Sequence, residues 1–428
     1  MYTAITDLYP IYLAHPSVQT DTRKLQKGDL FFALKGPNFN GNAFAAAALE
    51  QGAAYLVVDE ADAVVDERCL LVEDALTALQ QLAAHHRSQF KIPFIAITGS
   101  NGKTTTKELV HAVLSASFKT IATQGNLNNH IGVPLTLLSI PAGTEMAIIE
   151  MGANHLREIA SYCEIARPDY GIITNCGKAH LEGFGSIEGV RKGKGELYDY
   201  LRAHGGTAFR NTDLDYLKDM AAGISQQVTY GEAGADYMGK PLYADGMLHV
   251  AILNSGSETE IRTQLVGVYN FPNVMTAVAI GRHFGLTIDQ IKAAIEAYEP
   301  GNSRSQLVNW QGNQVILDAY NANPSSMKVA IDNMKVADAA EKVLLLGAMK
   351  ELGEESVQEH QQLVNQLADA GFEHVVLVGG DFAHTDHRGF QYFDSYTGAR
   401  EWLQAQQFTN ALILVKGSRA MTMEKIIA

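Results

Sequence analysis

Cysteine and long apolar runs are both scarce in this chain of 428 residues. Its three cysteines, Cys69, Cys163 and Cys176, stand at no metal-binding or redox spacing, and their odd number argues against a disulfide framework. Apolar runs such as residues 343–346 are far shorter than the ~20 residues that a membrane span needs. The opening "MYTAITDLYPIYLAH" lacks the basic start and apolar centre of a signal peptide. We therefore expect a cytoplasmic protein with no membrane partner.

An excess of basic residues is also missing, because 47 Asp and Glu outnumber 33 Lys and Arg and leave a formal charge of −14. General nucleic-acid binding needs a basic face, so we expect no nucleic-acid partner. A local basic pocket for a small anion stays open. The hydrophobic content of 46% is typical of a folded protein rather than a disordered one.

Strand and helix patterns alternate along the chain and predict an α/β protein of three domains. "KIP" at residues 91–93 and "EPGNSRS" at residues 299–305 read as the links between them. We predict a small α/β domain over residues 1–90 and a central domain with a mostly parallel sheet over 91–300. A Rossmann-like domain over 301–428 follows, but it carries no G-x-G-x-x-G and is assigned no dinucleotide.

The stretch "FIAITGSNGKTTTKELV", residues 94–110, reads as an apolar strand, a glycine turn and the start of a helix. Backbone N–H groups at such a turn point outward with the positive end of the helix dipole behind them, and Lys103 adds a charge for terminal phosphate oxygens. Thr104 can place its hydroxyl on magnesium. Ile97 stands where the strict P-loop has glycine, so the turn is a shortened variant, and a plain strand-to-helix turn is the alternative. The residues predicted to bind nucleotide here are Gly99, Asn101, Gly102, Lys103, Thr104 and Thr105.

Two further residues follow predicted strands of the central sheet. Glu150 ends "MAIIE" and His180 lies just past "YGIITNCGKAH". The carboxyl ends of neighbouring parallel strands share one edge, so the two residues are candidate metal ligands, although each could instead be a surface or a structural residue. Arg191, Lys192 and Lys194 lead into a predicted helix whose positive end would repel them, so either one is modified or all three are solvated.

Seven segments, in order along nearly the whole chain, resemble the Mur ligases of bacterial cell-wall synthesis. They are "TGSNGKTTTKE", "GNLNNHIGVPLTLL", "EMGANHLREI", "AHLEGFGSIEGVRKGKGEL", "DAYNANPSSM", "MKELGEES" and "LVKGSRAMTME". The resemblance implies a UDP-binding first domain, a P-loop-type ATPase central domain and a dipeptide-binding third domain. Its implied cofactors are ATP and two magnesium ions. Tyr269 and Ala348 depart from the family's usual His and Asp, and Arg304 does not directly follow a glycine.

The resemblance also implies roles for individual residues. Lys103, His180 and Lys194 would be catalytic, and Lys194 would be carbamylated. The magnesium ligands would be Thr104, Glu150, His180 and Lys194. Beyond the turn, ATP would meet Asn270, Asn273, Arg304 and Asp318. UDP would meet Asp21, Thr22, Arg23, Lys35 and Gly36. The substrate and phosphate loop would hold Asn126, Asn128 and Asn129, and the dipeptide would meet Asn321, Asn323, Ser325, Lys416, Ser418 and Arg419.

The implied reaction is the ATP-dependent joining of D-alanyl-D-alanine to UDP-N-acetylmuramoyl-tripeptide by a monomer, through an acyl phosphate. The segment "DAYNANPSSM" is typical of the dipeptide-adding members. Sister ligases that add the third residue, or glutamate to folate, are the alternatives within this class. A P-loop kinase or nucleotide-gated switch, and a non-catalytic binding module, are alternatives outside it.

Overall fold

The computed structural model describes residues 2–244, 246–254, 257–301 and 303–428. Its strands form sheets of four, nine and six strands, together with a two-stranded ribbon. Most neighbouring strands run parallel, and helices cover the sheets, so the predicted α/β class is confirmed. No helix in these ranges is long and apolar enough to cross a membrane. Short 3-10 helices add Thr22–Lys24, Gly41–Phe44, Ala61–Ala63, Val268–Asn270, Gly353–Glu355, Gly380–His384, Arg419–Met421 and Met423–Ile426.

The first sheet is fully parallel and has the order β1-β2-β5-β6, while β3 and β4 form the separate ribbon. Its two middle strands are short, largely buried apolar runs. The elements are α1 (Ile5–Ala14), β1 (Val18–Gln19), β2 (Leu30–Phe32), β3 (Lys35–Gly36), β4 (Phe39–Asn40), α2 (Ala45–Glu50), β5 (Tyr55–Val58), β6 (Cys69–Leu71) and α3 (Ala75–Arg87).

The central sheet begins with β7 (Phe94–Thr98), α4 (Lys103–Ser115), β8 (Thr120–Ala122), α5 (Gly132–Leu138), β9 (Met146–Glu150), α6 (Glu158–Ala166) and β10 (Tyr170–Ile173). Then come α7 (Leu181–Phe184), α8 (Ile187–His204), β11 (Thr207–Asn211), α9 (Asp215–Met220), β12 (Gln226–Gly231), β13 (Tyr237–Ala244), β14 (Met247–Asn254), β15 (Ser257–Arg262), α10 (Phe271–His283) and α11 (Ile288–Glu296).

These nine strands have the order β15-β14-β13-β12-β11-β10-β7-β9-β8, and only the β13–β14 and β14–β15 pairs are antiparallel. Every residue of β7 and β9 is buried, because α4, α10 and α11 cover one face of the sheet and α5, α6 and α8 the other. Such burial explains the continuous apolar runs of these strands. The predicted hairpin at "YADGMLHVAIL" is the β13–β14 pair, and its residue 245 lies outside the described ranges.

The structure corrects the predicted start of α8. Ser186 caps this helix by accepting a hydrogen bond from Gly189 N at 3.1 Å, so α8 begins at Ile187. Arg191, Lys192 and Lys194 therefore lie inside the helix and do not lead into it. Because they lie beyond the first turn, the helix dipole does not account for their crowding.

The third sheet has the order β16-β17-β21-β18-β19-β20, in which only the β16–β17 pair is antiparallel. Helices pack on both of its faces, as in a doubly wound fold. The elements are β16 (Gln306–Trp310), β17 (Asn313–Asp318), α12 (Pro324–Val336), β18 (Lys342–Gly347), α13 (Ser356–Asp369), β19 (His374–Val378), β20 (Gln391–Phe393), α14 (Tyr396–Gln406) and β21 (Leu412–Lys416).

Arg87, at the end of α3, fastens the first domain to the central sheet. Its buried guanidinium donates to Ala166 O at 2.7 Å and Arg167 O at 2.8 Å, and it lies 3.6 Å over the ring of Phe94. Asp169 Oδ2 lies 3.4 Å from the same guanidinium and accepts from Phe94 N at 2.9 Å. The start of β7 and the end of α3 are thereby held in one network.

We predict that Arg87→Met lowers the free energy of unfolding by about 2 to 4 kcal/mol, because it leaves buried carbonyl oxygens without donors. Urea unfolding would measure the change. Arg68→Met is the matched control, since that guanidinium pairs with Asp66 at the surface and should leave the transition unchanged. Equal effects of the two substitutions would contradict the assignment.

Candidate active site

The turn between β7 and α4, residues 99–102, has the geometry of a phosphate-binding loop. Gly99 and Gly102 have φ values of 143° and 82°, which residues other than glycine rarely adopt. A Cβ on Gly99 would lie 2.0 Å from Thr174 Oγ1, and one on Gly102 would lie 2.6 Å from Asn273 Oδ1. Since α4 begins at Lys103, the N–H groups of its first turn have no partners within the helix. This phosphate turn can therefore offer them to an anion.

The loop that follows β10 braces the phosphate turn. Asn101 N donates to Asn175 Oδ1 at 3.1 Å, and Asn101 O accepts from Thr174 Oγ1 at 2.6 Å. Ser100 N donates to Asn175 O at 2.9 Å, while the Ser100 hydroxyl contacts both N and O of Gly177 at 3.0 Å. The sequence reasoning missed this role for Asn175, although the residue ends a predicted strand beside β7.

Thr104 and Glu150 meet at the edge of the sheet. Thr104 Oγ1 donates to Glu150 Oε1 at 3.2 Å, and Asn128 Nδ2 donates to the same oxygen at 2.7 Å. Glu150 is 1% exposed, and its Oε2 has no hydrogen-bond partner among the residues that the structure describes. An orphaned, buried carboxylate oxygen beside a hydroxyl fits a hard cation such as magnesium.

Lys103 folds back over the phosphate turn. Its Nζ donates to Gly99 O at 2.7 Å and to Ser100 O at 3.1 Å. Burial lowers the pKa of Lys103, and the nearby charge of Glu150 opposes that shift. Terminal phosphate oxygens would replace these two carbonyl oxygens as the acceptors of hydrogen bonds from the ammonium.

His180 and Lys194 have partners other than Thr104 and Glu150. His180 Nδ1 lies 2.5 Å from Glu351 Oε2, and this contact lowers the pKa of Glu351. Lys194 is 1% exposed, and its Nζ donates to Ala153 O at 2.9 Å. Burial, reinforced by the charge of Lys103, lowers the pKa of Lys194 to about 7. Within the described ranges no three His, Cys, Asp or Glu side chains cluster around a metal position, so a bound cation needs other oxygen ligands as well.

Asn270 and Asn273 form a buried chain on another side of the phosphate turn. Thr106 Oγ1 donates to Asn273 Oδ1 at 3.0 Å, and Asn273 Nδ2 donates to Asn270 Oδ1 at 2.8 Å. Asn270 Nδ2 ends the chain on Val266 O at 2.8 Å. These bonds fix the start of α10 against α4.

The third domain contributes the last residues of β17 and β21, together with residues of the segment that follows β17. Asp318 and Lys416 stand side by side on β17 and β21, and Lys416 Nζ lies 2.6 Å from Asp318 Oδ2. Asn321 O accepts from the same Nζ at 3.3 Å. Asn323 Nδ2 donates to Asn101 Oδ1 at 2.8 Å, so the third domain touches the phosphate turn directly.

A cleft of about 850 Å³ lies between the central and third domains. Most predicted site residues line it, together with unpredicted polar residues such as Asn175, Asp213 and Tyr320. Arg304 reaches the cleft with its guanidinium 3.7 Å from the centre of the Tyr320 ring. The predicted residues in the lining are Asn101, Gly102, Lys103, Thr104, Thr105, Asn126, Asn128, Asn129, Glu150, His180, Asn270, Asn273, Arg304, Asp318, Asn321, Asn323, Ser325 and Lys416.

The other predicted site residues lie away from this lining. Ser418 Oγ donates to Ala348 O at 2.6 Å, and Arg419 pairs with Glu424 at 3.0 Å on the surface. The first-domain residues form local ion pairs, Arg23 with Asp21 at 2.7 Å and Lys35 with Asp59 at 3.0 Å. Gly99 and Lys194 are not among the lining residues, and Thr22 and Gly36 belong to the first domain.

Comparison with known proteins identifies the family. Residues 16–87 match the model of the Mur ligase family catalytic domain, 97–281 the Mur ligase middle domain and 303–419 the Mur ligase glutamate ligase domain. The chain belongs to the Mur ligase family. The UDP-N-acetylmuramoyl-tripeptide–D-alanyl-D-alanine ligase of Bacillus subtilis (strain 168) is 35% identical to this Mur ligase over 96% of the chain and 92% of the relative.

Solved structures agree with this membership. MurF from Acinetobacter baumannii has a TM-score of 0.86 and 30% identity, covering 97% of this chain and 96% of that one. MurF from Thermotoga maritima in complex with ADP has a TM-score of 0.87 and 26% identity with the same coverage. The resemblance and the three-domain architecture are therefore confirmed.

We predict that Gly102→Ala lowers the affinity for ADP at least about tenfold, because the new Cβ meets Asn273 in a turn that also requires a positive φ. Isothermal titration calorimetry would measure it. Gly143→Ala is the matched control, since Gly143 has the same φ of 82° but no atom within 4 Å of its Cβ position. An unchanged affinity in Gly102→Ala would refute the phosphate turn.

Proposed function

We propose that this Mur ligase joins D-alanyl-D-alanine to UDP-N-acetylmuramoyl-tripeptide, with ATP, in the synthesis of the peptidoglycan precursor. The observation that carries the proposal is the bond from Asn323 to Asn101, at 2.8 Å. It brings the dipeptide-type segment "YNANP" to the phosphate turn, where a carboxylate would be activated. A kinase or a nucleotide-gated switch gives that segment no role. The names of the relatives support the same substrate pair.

ATP is needed because oxide, the leaving group of a free carboxylate, is too poor for direct amide formation. The acceptor carboxylate attacks the γ-phosphorus of ATP, ADP leaves, and the resulting acyl phosphate has phosphate as its leaving group. Lys103 and the N–H groups of the first turn of α4 would stabilise charge on the transferred group. The dipeptide amine then attacks the acyl carbon and phosphate departs. The third domain would keep water away from the acyl phosphate.

Residues at the same cleft would also supply the ligands of two magnesium ions. Thr104 and Glu150 would hold one magnesium ion, and His180 and a carbamylated Lys194 the second. Magnesium would supply charge stabilisation at the phosphoryl oxygens. Carbamylation requires a neutral amine, and the burial of Lys194, with its pKa lowered to about 7, supports that requirement. The modification would also replace a buried cation by an anion near Lys103.

The remaining assignments extend to the whole chain. The first domain, residues 1–90, would bind the UDP group through Asp21, Thr22, Arg23, Lys35 and Gly36. Residues 91–300 would bind ATP, and residues 301–428 would bind the dipeptide. The three family-model matches, one within each range, support this division. The enzyme would act as a monomer.

Phosphate release from ATP and magnesium tests the reaction. We expect release that depends on both UDP-N-acetylmuramoyl-tripeptide and D-alanyl-D-alanine, with a product heavier by the dipeptide less water in the mass spectrum. Release without the dipeptide would indicate an ATPase or switch, and a product with glutamate instead would indicate a sister ligase. Either result would overturn the proposal.

We predict that the protein in ¹³C-bicarbonate shows a carbamate signal by ¹³C NMR, and that Lys194→Ala removes it. Because the folded pKa of Lys194 is lowered to about 7, its neutral amine is abundant from pH 7 upward and scarce well below it. The signal should therefore weaken as the pH falls below 7. Lys192→Ala, at an exposed position of the same helix, is the control and should keep the signal. A signal that survives Lys194→Ala would contradict the assignment.

A further inference from the structure

One segment of the central domain, residues 174–180, makes two sets of contacts. Its first half braces the phosphate turn through Asn175 and Gly177, as described above. Its second half contacts the third domain, where Lys178 Nζ lies 2.6 Å from Glu359 Oε1 on α13. Lys178 N also donates to Ser325 Oγ at 2.9 Å, in the first turn of α12. We call residues 174–180 the coupling segment.

The Lys178–Glu359 pair joins unequal environments. The Glu359 side chain is 7% exposed, whereas that of Lys178 is 45% exposed. A carboxylate this deeply buried is unfavourable without a cation, so removal of the lysine charge leaves Glu359 uncompensated while the domains are in contact. The pair therefore favours the arrangement in which the third domain is docked.

The backbone of the coupling segment is pressed closely against α12. A Cβ on Gly177 would lie 2.7 Å from Ser325 Oγ and 3.0 Å from Ser325 Cβ. Gly177 also holds the hydroxyl of Ser100 in the phosphate turn. Gly177 thus contacts both α12 and the phosphate turn, so a displacement of α12 would also affect the turn.

We infer that Lys178 is a positioning residue for the ligase reaction. Its ion pair with Glu359 holds the third domain against the phosphate turn, and the coupling segment links nucleotide occupancy of the turn to that docking. The kinetic consequence rests on the proposed function, whereas the docking itself does not. Lys178 acts through the placement of Ser325 and Asn323, and it need not touch ATP.

The experiment measures docking and catalysis separately. Dyes on Lys218→Cys and Glu401→Cys, both exposed and in different domains, would report domain separation by energy transfer, since the native cysteines Cys69, Cys163 and Cys176 are buried. The charge variants are Lys178→Glu, the exchange Lys178→Glu with Glu359→Lys, and the control Lys335→Glu. In the control the paired carboxylate, Asp332, belongs to the same helix as the lysine.

Lys178→Glu should lower energy transfer and reduce kcat/KM for the dipeptide about tenfold, because two carboxylates then face each other across the interface. The exchange variant should recover both quantities, and Lys335→Glu should change neither. Gly177→Ala should separate the domains with no change of charge, which keeps the test available if Lys178→Glu does not fold. ADP titration with magnesium should bring the wild-type domains together more than those of Lys178→Glu.

Three results would overturn the inference. They are wild-type energy transfer in both Lys178→Glu and Gly177→Ala, a folded exchange variant that recovers neither quantity, and an equal effect of Lys335→Glu. If ligation is absent in the wild type but energy transfer follows the expected order, the proposed function fails and the docking role stands.

Discussion

The hydrogen bonds between the phosphate turn and the loop after β10 are the contacts on which the cleft depends. Glycine adopts the conformation of this turn without strain but does not enforce it, so the turn needs surroundings that hold it in place. Here the backbone carbonyl of Asn175 accepts from Ser100 N, its side chain bonds both N and O of Asn101, and Ser100 binds Gly177. The positions of Lys103, Thr104 and the start of α4 all follow from this brace. Parallel neighbouring strands make it possible, because they end at one edge of the sheet.

Near the phosphate turn, the third domain meets this edge through polar contacts. Asn323 bonds Asn101, Lys178 pairs with Glu359, and His180 contacts Glu351. Polar interfaces between domains of one chain permit relative motion, since both sides can be solvated when they part. A reaction that forms a water-sensitive acyl phosphate benefits from an interface that closes over substrates and reopens for product release.

The first domain is attached differently. Arg87 ties the end of α3 to carbonyl oxygens of the central domain, and the apolar core runs continuously from α3 into α5 and α6. Continuous apolar packing favours a fixed arrangement over a hinged one.

Local patterns in the sequence determined the class of the fold and the phosphate turn. The bounds of β7 and β9 were predictable because strands buried on both faces are unbroken apolar runs, and Glu150 and His180 were expected at one edge because parallel strands end at a common edge. The short strands β8 and β20 were not predicted, since three residues carry little periodicity. The start of α8 was mispredicted because its capping serine was overlooked. Only the tertiary structure decided the roles of Asn175, Glu351 and the Lys178–Glu359 pair, whose members are 181 residues apart. Contacts over such distances depend on how whole domains pack, which no local spacing encodes.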